Sequence, residues 1–472
     1  MQHIRIESQN ELAILWFDRQ DSSVNKIDSI FVTEFDVATT QLKEMKPKGV
    51  ILRSAKSTFF AGGDLDMLFQ CTQSEVSLLF GMVESLKTSI RRLETMGIPV
   101  VACIDGSALG GGWELALGAH HRIMLNHPKV QIGLPEVTLG LLPGGGGVAR
   151  TVRIFGLQEA LPLLTEGKKY TAEKALNIGL IHEIVDSSED LLKKAIEWIH
   201  DHPQAEQLWD KKGYRLPGGS PASPKLAPLL AIAPAMVRKK TKGVYPAPEV
   251  ILATMVEGAL VDFETACRIE SRYFVHLVCH PVAKNMISAF WYQLNEISSG
   301  VGRPKGQETR KFNKVGILGA GMMGAGIAFA ASKSGCEVVL KDVSNEQAEK
   351  GKNYSQQILE KLIKKGYSTS EKAENQLALI HPTADASDFA GCDLVIEAVF
   401  EDRQLKAKVM SEVDSFIEKD ALLASNTSTL PITGLAQNSS RPADFIGLHF
   451  FSPVDKMKLV EIISGKETSH KL

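Results

Sequence analysis

The residues that most constrain this 472-residue chain lie between 314 and 342. Lys314-Val-Gly-Ile-Leu318 is a short apolar strand that runs at once into Gly319-Ala-Gly321-Met-Met-Gly324 and an apolar helix through Ile327, Phe329 and Ala331. In such a turn the first glycine reverses the chain, the second lets backbone approach a pyrophosphate, and the third lets helix meet strand. The helix N-terminus adds the positive end of its dipole. A second apolar stretch, 336–341, ends in Asp342, 21 residues beyond Gly321. A carboxylate there can accept from a ribose 2′-hydroxyl and would repel a 2′-phosphate. The pattern predicts a Rossmann unit that takes NAD in preference to NADP. Gly319, Gly321, Gly324 and Asp342 stand at the cofactor, and Met322 and Met323 line its cavity.

The rest of the chain is that of a globular protein. It is 44% hydrophobic and 23% charged, and its length predicts roughly three domains. A formal charge of −2 leaves no excess of cations for a nucleic-acid backbone. The longest apolar runs fall well short of the roughly 18 residues a bilayer span needs. The N-terminus alternates apolar and polar residues and carries Glu7, Glu11 and Asp18, which suits a first strand pair and not a signal or transit peptide. Cys71, Cys103, Cys267, Cys279, Cys336 and Cys392 form no CxxC pair and read as reduced thiols, which points to the cytoplasm.

Strands and helices alternate up to about residue 190. Pro, Gly and Ser at 217–228 and 245–248 predict a connector without regular elements, and helical periodicity returns over 249–294, broken at Pro281. A polar stretch at 298–313 precedes the Rossmann unit. The expected division is 1–190, 191–307 and 308–472.

Two segments of the first domain carry chemistry: Phe59-Phe-Ala-Gly62-Gly63-Asp64, and Ile104-Asp-Gly-Ser-Ala-Leu-Gly110-Gly111-Gly112-Trp113-Glu114. Each runs from strand through glycine into helix, so each can aim unpaired N–H groups into one cavity as an oxyanion hole. Glu114 sits on the helix opened by the triple glycine, and Glu136 follows 22 residues later. Two acids beside one oxyanion hole suit proton movement next to a carbonyl, one activating water and the other serving the α-carbon. In the last domain, His449 in Gly447-Leu-His-Phe-Phe-Ser-Pro453 precedes Glu461 by twelve residues. The pair is a candidate general base and its orienting carboxylate.

The first pattern resembles the crotonase (enoyl-CoA hydratase/isomerase) superfamily. That resemblance implies a crotonase-like ββα spiral domain, with the amides of Gly63 and Gly111 on a thioester oxygen and Glu114 and Glu136 as the acid/base pair. Two acids imply hydration; a single one would imply isomerisation or another reaction. Gly147-Val-Ala-Arg150 departs from the commoner Gly-Thr-Gln-Arg run. The stretch 314–461, with GAGMMG, ASNTSTL and GLHFFSPVDKMKLVE, is similar to the NAD-binding domain of L-3-hydroxyacyl-CoA dehydrogenases. This likeness implies that His449 and Glu461 form the catalytic pair, that Ser428 touches substrate, and that Met323, Glu401 and Asn426 join the glycines at the cofactor. That family closes its site with a further helical domain, whereas this sequence ends eleven residues past Glu461. The expectation is a piece of a longer protein, which binds NAD but transfers little hydride by itself. Ser-His-Lys-Leu at 469–472 then reads as a chance likeness to a peroxisomal address.

The order of the two domains resembles the α-subunit of multifunctional fatty-acid β-oxidation enzymes. It implies an α/β chain with a helical linker, an acyl-CoA substrate, NAD as cofactor, a thiolase β-subunit as partner in an α2β2-type complex, and some Δ3-Δ2-enoyl-CoA isomerase activity. The alternatives are isomerase action alone, or a catalytically silent CoA- and NAD-binding scaffold for a thiolase. His276 and His280, His120-His121, and His200 and His202 have no third ligand in sequence range and read as packing or solvent residues. Lys239, Lys240 and Lys242 read as a solvated basic loop.

Overall fold

The computed structural model describes residues 1–306, 309–364 and 367–469. Part of the 298–313 boundary and the last three residues of the 469–472 tetrapeptide lie outside them. Contacts divide the chain into two compact units, Met1–Val301 and Gly302–Leu472, so the connector and the helices after it pack within the first unit.

In the first unit, β1 (Ile4–Gln9) and β2 (Leu12–Phe17) form the expected antiparallel pair, with Ile4 opposite Phe17. They are followed by β3 (Val50–Ser54), β4 (Val100–Ile104), β5 (Ala108–Leu109), β6 (His121–Leu125), β7 (Ile132–Gly133), β8 (Lys169–Tyr170) and β9 (Glu183–Val185). The main sheet runs β1-β2-β3-β4-β6-β9, parallel from β2 onward, and β5-β7-β8 form a small second sheet. Every residue of β4 is buried. A parallel strand covered on both faces needs such an unbroken apolar run, here Val-Val-Ala-Cys-Ile.

Phe59 and Phe60 are buried among Phe17 and Phe31, with the Phe17 and Phe60 rings 5.3 Å apart edge to face. They clamp the start of the Gly62-Gly63 loop. The Phe60 carbonyl also accepts from the Leu109 amide at 3.2 Å, which ties this loop to β5 and to the triple glycine beyond it.

The connector contains one element that its composition hides. Ala227–Thr241 is a helix with proline in its first turn and Pro234 inside it, and Pro246–Gly258 is a second helix opened by proline. Proline lacks only a donor that the first helical turn would leave unpaired anyway, so Pro/Gly/Ser density here marks helix starts as well as loops. The helical stretch expected over 249–294 breaks before Pro281, as its proline predicts, and also after Gly258. Asp262 caps the middle piece, its side chain accepting from the Thr265 amide.

The second unit holds β10 (Lys314–Leu318), β11 (Glu337–Lys341), β12 (Ile380–Thr383), β13 (Leu394–Glu397), β14 (Leu422–Ser425), β15 (Phe445–Phe450) and β16 (Val460–Ser464), in the sheet order β12-β11-β10-β13-β14-β15-β16. All pairs are parallel except β15 with β16. The order reverses at β10, whose neighbours are β11 and β13. A crevice opens at such a switch point, beyond the carboxyl ends of the strands. Among the described residues no helix is long and apolar enough to cross a membrane.

Candidate active sites

In the first unit, Gly63 bridges Ile27 through the Gly62 carbonyl and the Asp64 amide, which leaves its own N–H out of the bridge. Gly111 is the first residue of helix Gly111–Leu117, where an amide has no partner within the helix. The two amides adjoin: a Cβ on Gly111 would stand 3.6 Å from the Gly63 nitrogen and 2.5 Å from Ile27 Cδ1. The turn between β5 and this helix uses Gly110 at φ +55°, a left-handed conformation that glycine adopts without a Cβ penalty.

Helix Gly111–Leu117 carries Glu114 inward to 3% exposure. Its Oε1 accepts from the amides of Gly145 (2.7 Å) and Gly147 (2.6 Å), so the glycine-rich loop after Pro143 supplies its donors. Glu136 opens a short 3-10 turn, Glu136–Leu139. Its Oε1 lies 2.7 Å from the position a Gly110 Cβ would take, and its buried Oε2 has no hydrogen-bond partner. The fold therefore brings Gly63, Gly111, Glu114 and Glu136 to one place from three separated segments.

Burial, then the charge of Glu270, push the Glu114 carboxyl up to about 7, against the opposing pull of the Gly147 amide, Lys87 and the Gly145 amide. Burial, then the charge of Glu114, push Glu136 well above the usual carboxylate range. Both carboxyls are raised, but only Glu114 is held by two amides of the glycine-rich loop, so their environments differ. Glu114 has the donors to be the carboxylate, and Glu136 the environment to be the acid.

Two residues of this neighbourhood are absent from the sequence reading. Glu270 is fully buried and accepts from the amides of Gly146 (2.6 Å) and Ala149 (3.0 Å), and Lys87 Nζ lies 2.9 Å from its Oε1. The signal was available: Phe263, Ala266, Cys267, Phe274 and Leu277 form the buried stripe of helix Phe263–Val278, and Glu270 occupies a core-facing position in that period. The departure at Gly147-Val-Ala-Arg150 ends in Arg150, which is buried, pairs with Glu94 at 2.7 Å and donates to the Gly145 carbonyl.

The histidines take packing roles. The rings of His182, His121, Trp198 and His202 stack at 4.4–4.7 Å, and burial pushes His120 and His121 down to about 4. His120, His182, Trp198 and His202 border a cavity of about 1020 Å³ that none of the candidate catalytic residues lines. His280 accepts from the Val282 amide as a helix cap, and Lys240 pairs with Glu166 at 2.8 Å.

In the second unit, a cavity of about 910 Å³ at the switch point is lined by Gly319, Gly321, Met322, Met323, Asp342 and Val343 among others. The residues fit a dinucleotide. A Cβ on Gly324 would run into the Gly319 carbonyl, whereas one on Gly321 would meet open space, as close helix–strand packing and an exposed pyrophosphate seat require. Asp342 directly follows β11, and its carboxylate accepts from the amides of Ala320 and Val343, both at 2.7 Å.

β15 and β16 set His449 opposite Glu461, and Nδ1 meets Oε2 at 2.7 Å. Asn426 uses its Oδ1 to accept from the Phe450 amide (2.9 Å), one residue past His449. Glu401 is engaged by the protein: Oε1 accepts from the Thr427 hydroxyl and the amides of Ser428 (3.1 Å) and Thr429 (3.2 Å), and Lys406 lies 3.1 Å from Oε2. Burial alone would raise this carboxyl; the Thr427 hydroxyl and Lys406 overcome it and hold the group at about 2. Glu401 thus shapes the 427–429 loop, and the side chains of Glu401 and Asn426 are turned to loop and strand. Ser428 is exposed on that loop.

Comparison with known proteins assigns both units. The enoyl-CoA hydratase/isomerase family model matches residues 7–208, and the 3-hydroxyacyl-CoA dehydrogenase NAD-binding domain model matches residues 314–472. Among solved structures, (S)-3-hydroxybutyryl-CoA dehydrogenase from Ralstonia eutropha is 42% identical over 34% of this chain and 56% of its own, with a TM-score of 0.33. The 3-hydroxybutyryl-CoA dehydrogenase of Escherichia coli K12 is 35% identical over 34% of each chain, TM-score 0.33. An enoyl-CoA hydratase from Bacillus anthracis is 26% identical over 55% of this chain and 91% of its own, TM-score 0.39. The chain thus spans little more than half the length of the first dehydrogenase and a third of the second. Residues 7–208 are thus similar to enoyl-CoA hydratase/isomerases, and residues 314–472 to the NAD-binding domain of 3-hydroxyacyl-CoA dehydrogenases.

Proposed function

We propose that the first unit hydrates trans-2-enoyl-CoA to L-3-hydroxyacyl-CoA. The observation that carries this reading is the convergence of the buried Glu114 and the half-buried Glu136, whose Oε2 is shielded from water, on the adjoining amides of Gly63 and Gly111. The thioester oxygen accepts from those two amides, which hold the charge that gathers there as the C2–C3 double bond is attacked. Glu114, whose carboxylate form is supported by its loop amides, takes a proton from the water that adds to C3. Glu136, kept protonated by burial, delivers a proton to C2, and the pair then re-exchanges protons through solvent. A protonatable Glu136 beside the same oxyanion hole also supports Δ3-Δ2 isomerisation.

The second unit then serves the hydroxyacyl product. NAD, when bound, accepts the hydride from C3. His449, oriented through Nδ1 by Glu461, takes the hydroxyl proton at its other ring nitrogen. Asp342 holds the adenosine ribose, and Ser428 stands where substrate would pass. A thiolase β-subunit that cleaves the ketone is the partner this chemistry calls for, and six free thiols fit a reducing cytoplasm.

The test is loss of the conjugated enoyl-thioester absorbance when crotonyl-CoA meets the purified chain without NAD, with Glu136→Gln alongside. Turnover in the parent and none in a variant that still binds crotonyl-CoA supports the reading. Equal turnover in both refutes the assignment of Glu136, and thioester binding without turnover in the parent favours the scaffold.

A further inference from the structure

The amides at the start of helix Gly147–Thr165 are divided between two carboxylates. Those of Gly145 and Gly147 donate to Glu114, and those of Gly146 and Ala149 donate to Glu270. A helix N-terminus offers a fixed set of unpaired donors and one positive dipole end. What one carboxylate takes, the other shares.

Glu270 does not reach the oxyanion amides. It is fully buried and held by two amides and by Lys87, whose ammonium is itself buried and also donates to the Cys267 carbonyl (2.6 Å) and the Ser271 hydroxyl (2.8 Å). The Ser271 hydroxyl donates on to Glu84 at 2.6 Å. The charged groups that bear on Glu114 are Glu270 on helix Phe263–Val278, Lys87 on helix Val76–Glu94, and Glu136, while Arg150 on helix Gly147–Thr165 donates to the Gly145 carbonyl of the same loop. Arg150 is neutralised by Glu94 at 2.7 Å, so the remaining pair whose balance reaches Glu114 through the loop is Glu270 with Lys87.

We propose that Glu270 and Lys87 are positioning residues for hydration: together they fix the glycine-rich loop and set the ionisation of Glu114 by opposing fields. Burying an ion pair this deeply brings little stability against an apolar pair of the same shape, whereas a field of either sign within a few ångströms moves a carboxyl's titration. The inference rests on the hydratase reading above, but its central test does not need turnover.

The experiment follows the titration of the buried carboxyls by ¹³C nuclear magnetic resonance in the full chain labelled at glutamate, with Glu114→Gln to assign the signal. Glu270→Gln removes a negative neighbour and should lower the Glu114 midpoint by about one pH unit. Lys87→Gln removes a positive one and should raise it by about the same amount. Lys87→Arg, which keeps the charge, should leave it near the parent value. The hydration pH profile of each active variant should move with the same sign. Shifts of opposite sign support the proposal; no shift, or shifts of one sign in both variants, overturn it. If Glu270→Gln does not fold, Lys87→Gln carries the test by its sign, since Glu270 keeps both amide donors. If the parent chain lacks turnover, the hydratase reading fails while the titration still decides the field between these residues.

Discussion

The two candidate sites of this chain are built in opposite ways. Glu114 lies at 3% exposure among loop amides, with two buried ion pairs, Lys87–Glu270 and Arg150–Glu94, behind the loop. The side chains of His449 and Glu461 are 18% and 49% exposed, held by one mutual hydrogen bond on the antiparallel edge of the sheet. The first unit invests its interior in the site: the donors of Glu114 come from a loop that is itself fixed by Arg150 and Glu270. The second fixes its cofactor crevice and loop 427–429 firmly, while the His449–Glu461 pair sits on a ledge whose neighbours Leu459, Val460 and Ile462 are exposed. A buried site is preorganised and sensitive to its own packing; an open one is sensitive chiefly to what binds it.

That contrast can be broken by mutation. Glu114→Gln should cut hydration by about 10³-fold with crotonyl-CoA binding retained, while His449→Gln leaves hydration unchanged. Parallel absorbance assays of both variants check it, and a loss in the second would mean the sites are not independent. Gly145→Ala places a Cβ 2.9 Å from Glu114 Oε2, and a displaced carboxylate should lower kcat by roughly 10²-fold with little change in binding. Asp342→Ala should weaken NAD by about tenfold, read by calorimetric titration, because the loss is one charge-assisted ribose contact. The smallest effect is expected at Glu461→Gln. Its partly exposed pair with His449 should change thermal stability by less than about 1 kcal/mol, measured by calorimetry.

pH sharpens the same comparison. Glu114 has a folded value of about 7, above its usual one of 4.5. Its favourable contribution is therefore complete below about 4.5 and is lost as pH rises through 7. Glu401, held at about 2, has the opposite sign: its contribution is present above about 4.5 and disappears as pH falls toward 2. All five tryptophans, Trp16, Trp113, Trp198, Trp209 and Trp291, lie in the first unit. Their fluorescence should report denaturant midpoints that fall from pH 5 to 8, while amide hydrogen exchange in 314–464 should show protection lost on acidification. Trends of the same sign in both units would contradict these assignments.

Much of the architecture was legible because local rules agreed with the global fold. The β1–β2 pair, the apolar run of β4 and the strand–glycine–helix of β10 each state a period or a turn that only one arrangement satisfies. Ala227–Thr241 was illegible because proline at a helix start and proline in a loop look alike in composition. The site followed the same divide. Glu114 and Glu136 stand beside glycine motifs and could be named. Glu270 and Lys87, 183 residues apart, are bland members of two amphipathic helices until those helices pack.

By itself the sequence determined which backbone turns expose amides, which acids and which histidine lie near them, and where a dinucleotide is seated, since glycine's missing Cβ and the strand and helix periods act over a few residues. Only the tertiary structure decided how charge is distributed among them. It sends alternate amides of one loop to Glu114 and Glu270, leaves Glu136 Oε2 unpartnered, commits Glu401 to its loop and sets Glu461 beside His449. Ionisation depends on burial and on neighbours a few ångströms away, and those distances exist only once distant segments have packed.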